Sequence, residues 1–231
     1  MPNLDWYKTV IPDLQELMKQ WVDDDRESKE NVLLFFEKHL GAGNIGLGQS
    51  GKEWDLERKP IDTIVIHHTH NPPGMTRERL SVEELLRLYA PYYFAPYDER
   101  DKSEQGKPIY SGHFRDGKQV FWPYHWIIRA NGVTERLLLD SEIGWHAGNW
   151  ETNCKSIAIV FDNNYENQRP SDIELKSAAE LIRKQYPQIK MGNIFGHREV
   201  NLKITCPSNL FLNTNSRKGW KDDLLAFAFH G

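Results

Sequence analysis

The chain has 231 residues, 39% of them hydrophobic and 27% charged, and a formal net charge of −4. That is enough apolar material for one globular domain with an extension, and without a basic block or stripe there is no nucleic-acid-binding signature. No apolar run approaches the roughly 18 residues a membrane-spanning helix requires, so no membrane insertion is expected.

Met1 to Val10 lacks a charged segment followed by an apolar one, so no secretory signal is expected. Residues 11–24 carry the i, i+3, i+4, i+7 spacing of an amphipathic helix through Leu14, Leu17, Met18 and Trp21. A second helix is predicted to start after Ser28 and to stop near Gly41, with Val32, Leu33, Phe35, Phe36 and Leu40 as its apolar set. The five glycines from Gly41 to Gly51 predict a loop. Residues 1–55 therefore read as an N-terminal helical extension and residues 56–231 as the main domain. Ile64-Val65-Ile66, ending in His67, is short and β-branched, as in a buried strand. Ser81 and Glu84 form a capping-box pattern before Val82, Leu85, Leu86 and Tyr89, which predicts a helix. Residues 92–118, rich in Tyr, Pro, Asp and Gly, predict a long irregular insertion.

Trp126-Ile127-Ile128 and Val133 to Leu137 flank Asn131-Gly132, a hairpin signal. Ser156 to Phe161 is another apolar strand. Ser171 and Glu174 cap a helix carrying Leu175, Ala178, Ala179 and Ile182, which Pro187 stops. A short strand over Asn193 to Phe195 leads into Gly196-His197, and a last helix covers Trp220 to Phe229. This order predicts an α/β fold, a central mixed β-sheet with helices on both faces.

The chemistry-bearing residues form two clusters. His67, His68 and His70 end the first strand, where imidazoles reach the lip of a sheet, although a lone strand-end histidine is commonly structural. His68 and His70 are spaced like half of a binuclear metal pattern, but Asn71-Pro72-Pro73 supplies neither the acid nor the further histidine such a pattern needs. The second cluster is Gly196-His197-Arg198-Glu199-Val200 with Thr205-Cys206-Pro207. Its histidine and cysteine meet if the loop between them folds back, and two histidines with one thiolate suit zinc while leaving a fourth position for water. The only cysteines are Cys154 and Cys206. Two free thiols are expected, a single bridge being the alternative.

His67-His68-Thr69, Tyr124-His125-Trp126-Ile127-Ile128, Gly144-Trp145-His146-Ala147-Gly148, Asn153 with Ser156-Ile157-Ala158-Ile159, and the second cluster follow one another across residues 61–210. In that order they resemble the N-acetylmuramoyl-L-alanine amidase family, which includes phage amidase lysozymes and peptidoglycan recognition proteins. The resemblance implies a zinc (Zn2+) hydrolase cutting the amide between N-acetylmuramic acid and L-alanine in peptidoglycan or muropeptides, with residues 56–231 as its catalytic domain. It implies His67, His197 and Cys206 as zinc ligands and Tyr124 as the residue assisting the zinc water. Lys203 would serve the developing oxyanion. Thr205 is the other candidate, because the family usually places this residue two before the cysteine, where this chain has Ile204; a Lys203 that is merely a surface residue is an equal alternative. His68, Trp145 and His146 are expected to line the groove, His68 equally as a partner orienting a ligand and Trp145 equally as packing. Recycling amidases carry a glutamate where this chain has Val160, and Asp162 is not expected to replace it. The stretch from His67 to Tyr124 is longer than usual in the family, so residues 92–118 would wall or cover the groove.

Three rivals remain at this level: a peptidoglycan-binding module without turnover, a cytoplasmic enzyme trimming recycled muropeptides, and a thiol hydrolase using Cys206 and His197. Without a signal, a chain made in the cytoplasm would reach a cell wall through a separate pore or secretion machine. No pattern specifies an oligomeric state.

Overall fold

The computed structural model describes residues 6–20, 25–44, 46–74, 113–120 and 123–230. The described elements are, in chain order, α1 (Trp6–Lys19), α2 (Arg26–Gly41), β1 (Thr63–His68), β2 (Phe114–Arg115), β3 (Lys118–Gln119), β4 (Trp126–Ile128), β5 (Thr134–Arg136), α3 (Trp150–Lys155), β6 (Ser156–Phe161), α4 (Asp172–Gln185), β7 (Ile194–Gly196), α5 (His197–Val200) and α6 (Trp220–Phe229). The chain divides into two compact units, residues 1–54 with 77–121 and residues 55–76 with 122–231. No described helix is long and apolar enough to cross a membrane.

In the first unit α1 starts at Trp6, earlier than its apolar periodicity suggests, and runs through Pro12. The ring at Pro12 costs the helix one backbone hydrogen bond; Val10 and Leu14, one turn apart, are buried. Residues 21–24 of the expected helix, Trp21 among them, lie outside the described residues. Helix α2 starts one turn before the expected site because Asp25, not Ser28, caps it: the Ser28 N–H donates to the Asp25 carboxylate at 2.8 Å. The expected helix after Ser81 and residues 92–112 of the expected insertion also lie outside the described residues. Residues 113–118, assigned to that insertion, instead open the β2–β3 hairpin. It turns at Asp116-Gly117, both at positive φ (50° and 73°), as a two-residue hairpin requires. The Phe114 N–H donates to the Lys52 carbonyl at 2.9 Å and the Gln119 amide to the Gly48 carbonyl at 3.0 Å, so the hairpin holds the glycine-rich loop.

The second unit is built on a mixed five-stranded sheet in the order β5-β4-β6-β1-β7, with helices on both faces. Strands β4, β6, β1 and β7 run parallel, and β5 pairs antiparallel to β4 through the expected hairpin. Every residue of β1 and β6 is buried, which is why both read as nearly continuous apolar runs. Alternation then sorts their side chains. Ile64 and Ile66 share a face with Ile157, Ile159, Phe161 and Ile194, and this face packs on Leu175, Ala178 and Ile182 of α4 and on Trp220 and Leu224 of α6. Thr63, Val65 and His67 share the opposite face with Ser156, Ala158 and Val160. Helix α3 serves that side. Its terminal carbonyls are met by the Arg58 guanidinium, which donates to Asn153, Cys154 and Ser156 oxygens at 3.1, 3.3 and 3.0 Å.

Gly196, the last residue of β7, has no room for a side chain: a Cβ there would lie 2.4 Å from the Phe211 ring and 2.8 Å from Pro207 Cδ. Gly196→Ala is therefore expected to cost about 1–3 kcal/mol by overpacking, read as a lower urea midpoint; an unchanged midpoint would mean that the Phe211 ring yields freely.

Candidate metal centre

Strand β1 delivers His67 to the sheet edge on the Ser156–Val160 side, and β7 delivers His197 at the start of α5. The chain then folds back: the Arg198 N–H donates to the Cys206 carbonyl at 2.7 Å, and the Arg198 guanidinium donates to the Ser208 carbonyl at 2.9 Å. His67, His197 and Cys206 each bring one ligand atom within 4.8 Å of the others. Cys206 Sγ lies 3.8 Å from His67 Nδ1, and the His67 and His197 ring centroids are 4.6 Å apart.

Two observations fit these residues to a metal ion. His197 Nε2 is buried with no hydrogen-bond partner among the described residues, an arrangement that is costly unless something accepts its lone pair. The donor set, two imidazole nitrogens and one sulfur, is the kind zinc selects. Burial shifts every group toward its neutral form. It holds His67 well below its ordinary value, helped by His146 and His197 nearby, and brings His197 to about 4. Neutral imidazole is the ligand form. Burial also pushes the Cys206 thiol up to about 12, against a hydrogen bond from the His68 backbone that favours the thiolate. A thiol so placed is a poor nucleophile unaided, whereas a coordinating metal ion deprotonates it outright.

His68 points to the other face from His67, as alternation dictates. Its Nδ1 accepts the Tyr165 N–H at 2.9 Å, and its Nε2 faces Glu166 at 3.8 Å. His68, His70 and Glu166 also bring ligand atoms within 4.8 Å, so the fold supplies the acid that the local sequence lacks. The tautomer nevertheless decides against a second metal. With Nδ1 taken as an acceptor, the neutral ring of His68 carries its proton on Nε2, which leaves no lone pair toward Glu166.

The remaining expected residues are spread around the centre. The half-buried Tyr124 ring lies 5.1 Å from that of His67. Trp145 is 46% exposed and rests on Trp150 at 5.3 Å, whose indole N–H is held by Glu57 at 2.7 Å. Lys203 and Thr205 are both exposed in the turn before Cys206. The Lys203 N–H donates to the Asn201 side chain at 3.2 Å. His146 is buried instead of lining open space, with Nδ1 3.0 Å from His67 Nε2 and Nε2 2.9 Å from Ser156 Oγ. Asp162 is also occupied: its carboxylate accepts from Arg129 at 2.8 Å and from the Gly74 N–H at 3.0 Å. Both cysteines are free. The sequence pattern suggests no role for Asn153, and the structure gives it one: its side-chain oxygen accepts the N–H groups of His146 and Ala147 at 3.2 and 2.9 Å.

A profile of the N-acetylmuramoyl-L-alanine amidase family matches residues 57–209. Peptidoglycan-recognition protein SD of Drosophila melanogaster is 27% identical over 117 residues, which cover 48% of this chain and 62% of that protein; the chain thus spans less than two thirds of the length of this relative. Among solved structures, the N-acetylmuramoyl-L-alanine amidase LysC from Clostridium intestinale URNW aligns with a TM-score of 0.47 and 18% identity, over 71% of this chain and 88% of that one. The Ph2119 endolysin from Thermus scotoductus MAT2119 bacteriophage Ph2119 aligns with a TM-score of 0.42 and 19% identity, over 66% and 80%.

The buried histidines set an acid limit on the metal-free protein. His68 and His197 titrate near 4 and His125 near 3, all lowered mainly by burial from 6.5. Below about pH 6.5 the unfolded chain binds protons that the folded chain refuses, so stability falls as the pH drops from there toward about 4. Urea midpoints measured at about pH 7.5, 5.5 and 4.5 should decline in that order. Equal midpoints at the first two would show these rings to be solvated in the folded state.

Proposed function

The chain belongs to the N-acetylmuramoyl-L-alanine amidase family, and from that membership we propose that it is a zinc-dependent hydrolase cutting the amide bond between N-acetylmuramic acid and L-alanine in peptidoglycan. The observation that carries the reading is the convergence of His67, His197 and Cys206 within 4.8 Å around a buried His197 Nε2 that has no hydrogen-bond partner among the described residues. The thiol hydrolase is disfavoured by the same site, because burial holds the Cys206 thiol in its protonated form.

Zinc bound by these residues would bring the pKa of a water to about 7 and polarise the scissile carbonyl as a Lewis acid. The chain's own groups do the rest. Tyr124, beside His67, holds the attacking water and helps move its proton. Lys203, exposed in the turn before Cys206, would serve the developing oxyanion as a long flexible cation. Trp145, braced by Trp150, offers an exposed aromatic face to the sugar or stem peptide.

The test is zinc content together with digestion of purified peptidoglycan, wild type beside Cys206→Ser and a chelated sample. One zinc per chain and new alanine amino groups, both lost in the two controls, is the expected outcome. Metal without turnover would make the protein a binding module, and turnover that survives chelation but not thiol alkylation would restore the thiol hydrolase. Soluble muropeptides tried beside intact sacculi separate recycling from lysis. Within an active enzyme, Lys203→Ala should lower kcat about a hundredfold or more, while Thr205→Val leaves it near wild type; the reverse pattern would hand the oxyanion role to Thr205.

A further inference from the structure

Both histidines of the proposed metal set are backed by one short segment. His146 bridges His67 and Ser156 through its two ring nitrogens, at 3.0 and 2.9 Å. The next residue, Ala147, hydrogen-bonds the His197 ring through its backbone. Asn153 in α3 clamps both residues, since one side-chain oxygen accepts the His146 N–H at 3.2 Å and the Ala147 N–H at 2.9 Å. His146, Ala147, Asn153 and Ser156 are at most 5% exposed. Water cannot substitute for these bonds, so breaking one leaves a buried group unsatisfied.

The protons can be assigned along the chain of bonds. Cys206 lies on the Nδ1 side of His67, so a metal held there would take the Nδ1 lone pair and the neutral ring would keep its proton on Nε2. That N–H donates to His146 Nδ1. The His146 proton is then on Nε2 and donates to Ser156 Oγ. A carboxylate, a backbone carbonyl or a water usually receives the second N–H of a metal-bound histidine. Here a neutral imidazole does so, which orients the ligand without adding charge to a desolvated centre.

We infer that the His146–Ala147 segment, clamped by Asn153, is the positioning device of this centre, fixing the tautomer and angle of His67 through the His146 ring and the angle of His197 through the Ala147 backbone. The inference rests on reading His67, His197 and Cys206 as the zinc set. It moves His146 from the groove to the support of a ligand.

The test uses the full chain stripped of metal. Zinc affinity is measured by competition with a chromophoric chelator, and ligand geometry by the visible spectrum after loading with cobalt(II). His146→Gln can still accept from His67 through its amide oxygen and donate to Ser156 through its amide nitrogen, whereas His146→Leu keeps bulk alone. The leucine variant should lose about ten- to a hundredfold in zinc affinity and shift the cobalt bands. The glutamine variant should recover most of the affinity and the wild-type spectrum. If His146→Leu does not fold, Asn153→Asp, which keeps the acceptor, and Asn153→Leu, which does not, carry the same comparison. Wild-type affinity in the leucine variants, or equal loss in the glutamine and leucine variants, would overturn the inference while leaving the zinc reading intact. A wild-type protein that takes up no zinc would remove both.

Discussion

The centre of this protein depends on the placement of a polar ring at the end of a strand that has no wet face. Strand β1 is buried along its whole length between β6 and β7, and its alternation sends His67 and His68 to opposite sides of the sheet. Neither ring can rely on water, so each needs partners supplied by the fold. His68 finds the Tyr165 backbone and becomes a fixed N–H donor. His67 finds His146 on one nitrogen and on the other faces Cys206, with His197 alongside. The difference between a structural histidine and a ligand is thus set by which nitrogen the surroundings leave open.

The same burial carries a cost and a use. Desolvation keeps the histidines neutral and the Cys206 thiol protonated. Neutral imidazole is the form a metal would take, and the buried thiol would need a metal to lose its proton. A polar network this deep must be satisfied throughout or it destabilises the fold, which accounts for the density of hydrogen bonds behind it. Asn153 holds the His146–Ala147 segment, and Arg58 in turn holds the carbonyls at the end of the helix that carries Asn153. His125, another buried ring, accepts the Ala158 N–H and bonds the Glu142 carbonyl, stitching the β4 strand to β6 and to the loop that leads to His146.

Much of this architecture was legible because its signals are local. Strands β1 and β6, the Asn131-Gly132 hairpin and the Ser171 capping box announce themselves through short-range chemistry, and the structure places each where its pattern lies. Departures occurred where two local signals compete or where the partner is remote. Asp25 outcompetes Ser28 as the cap of α2, and Phe114 becomes a strand residue by pairing with Gln119 across the Asp116-Gly117 turn, its N–H held by distant Lys52. His146 resembles a groove residue in a motif beside an exposed tryptophan, yet its ring turns inward because Ser156 and His67 present the matching atoms.

The sequence by itself determined the family and the α/β class, and it offered candidate metal ligands, because residue type and order within short motifs carry that information without reference to distance. Tertiary structure alone decided which of them converge. His67 stands far along the chain from His197 and Cys206, and the three meet only because β1 and β7 are sheet neighbours and the segment after α5 folds back. It also decided tautomers. The proton of an imidazole goes where its hydrogen-bond partners put it, and those partners, Tyr165 for His68 and His146 for His67, come from elements that no local pattern connects to the strand they serve.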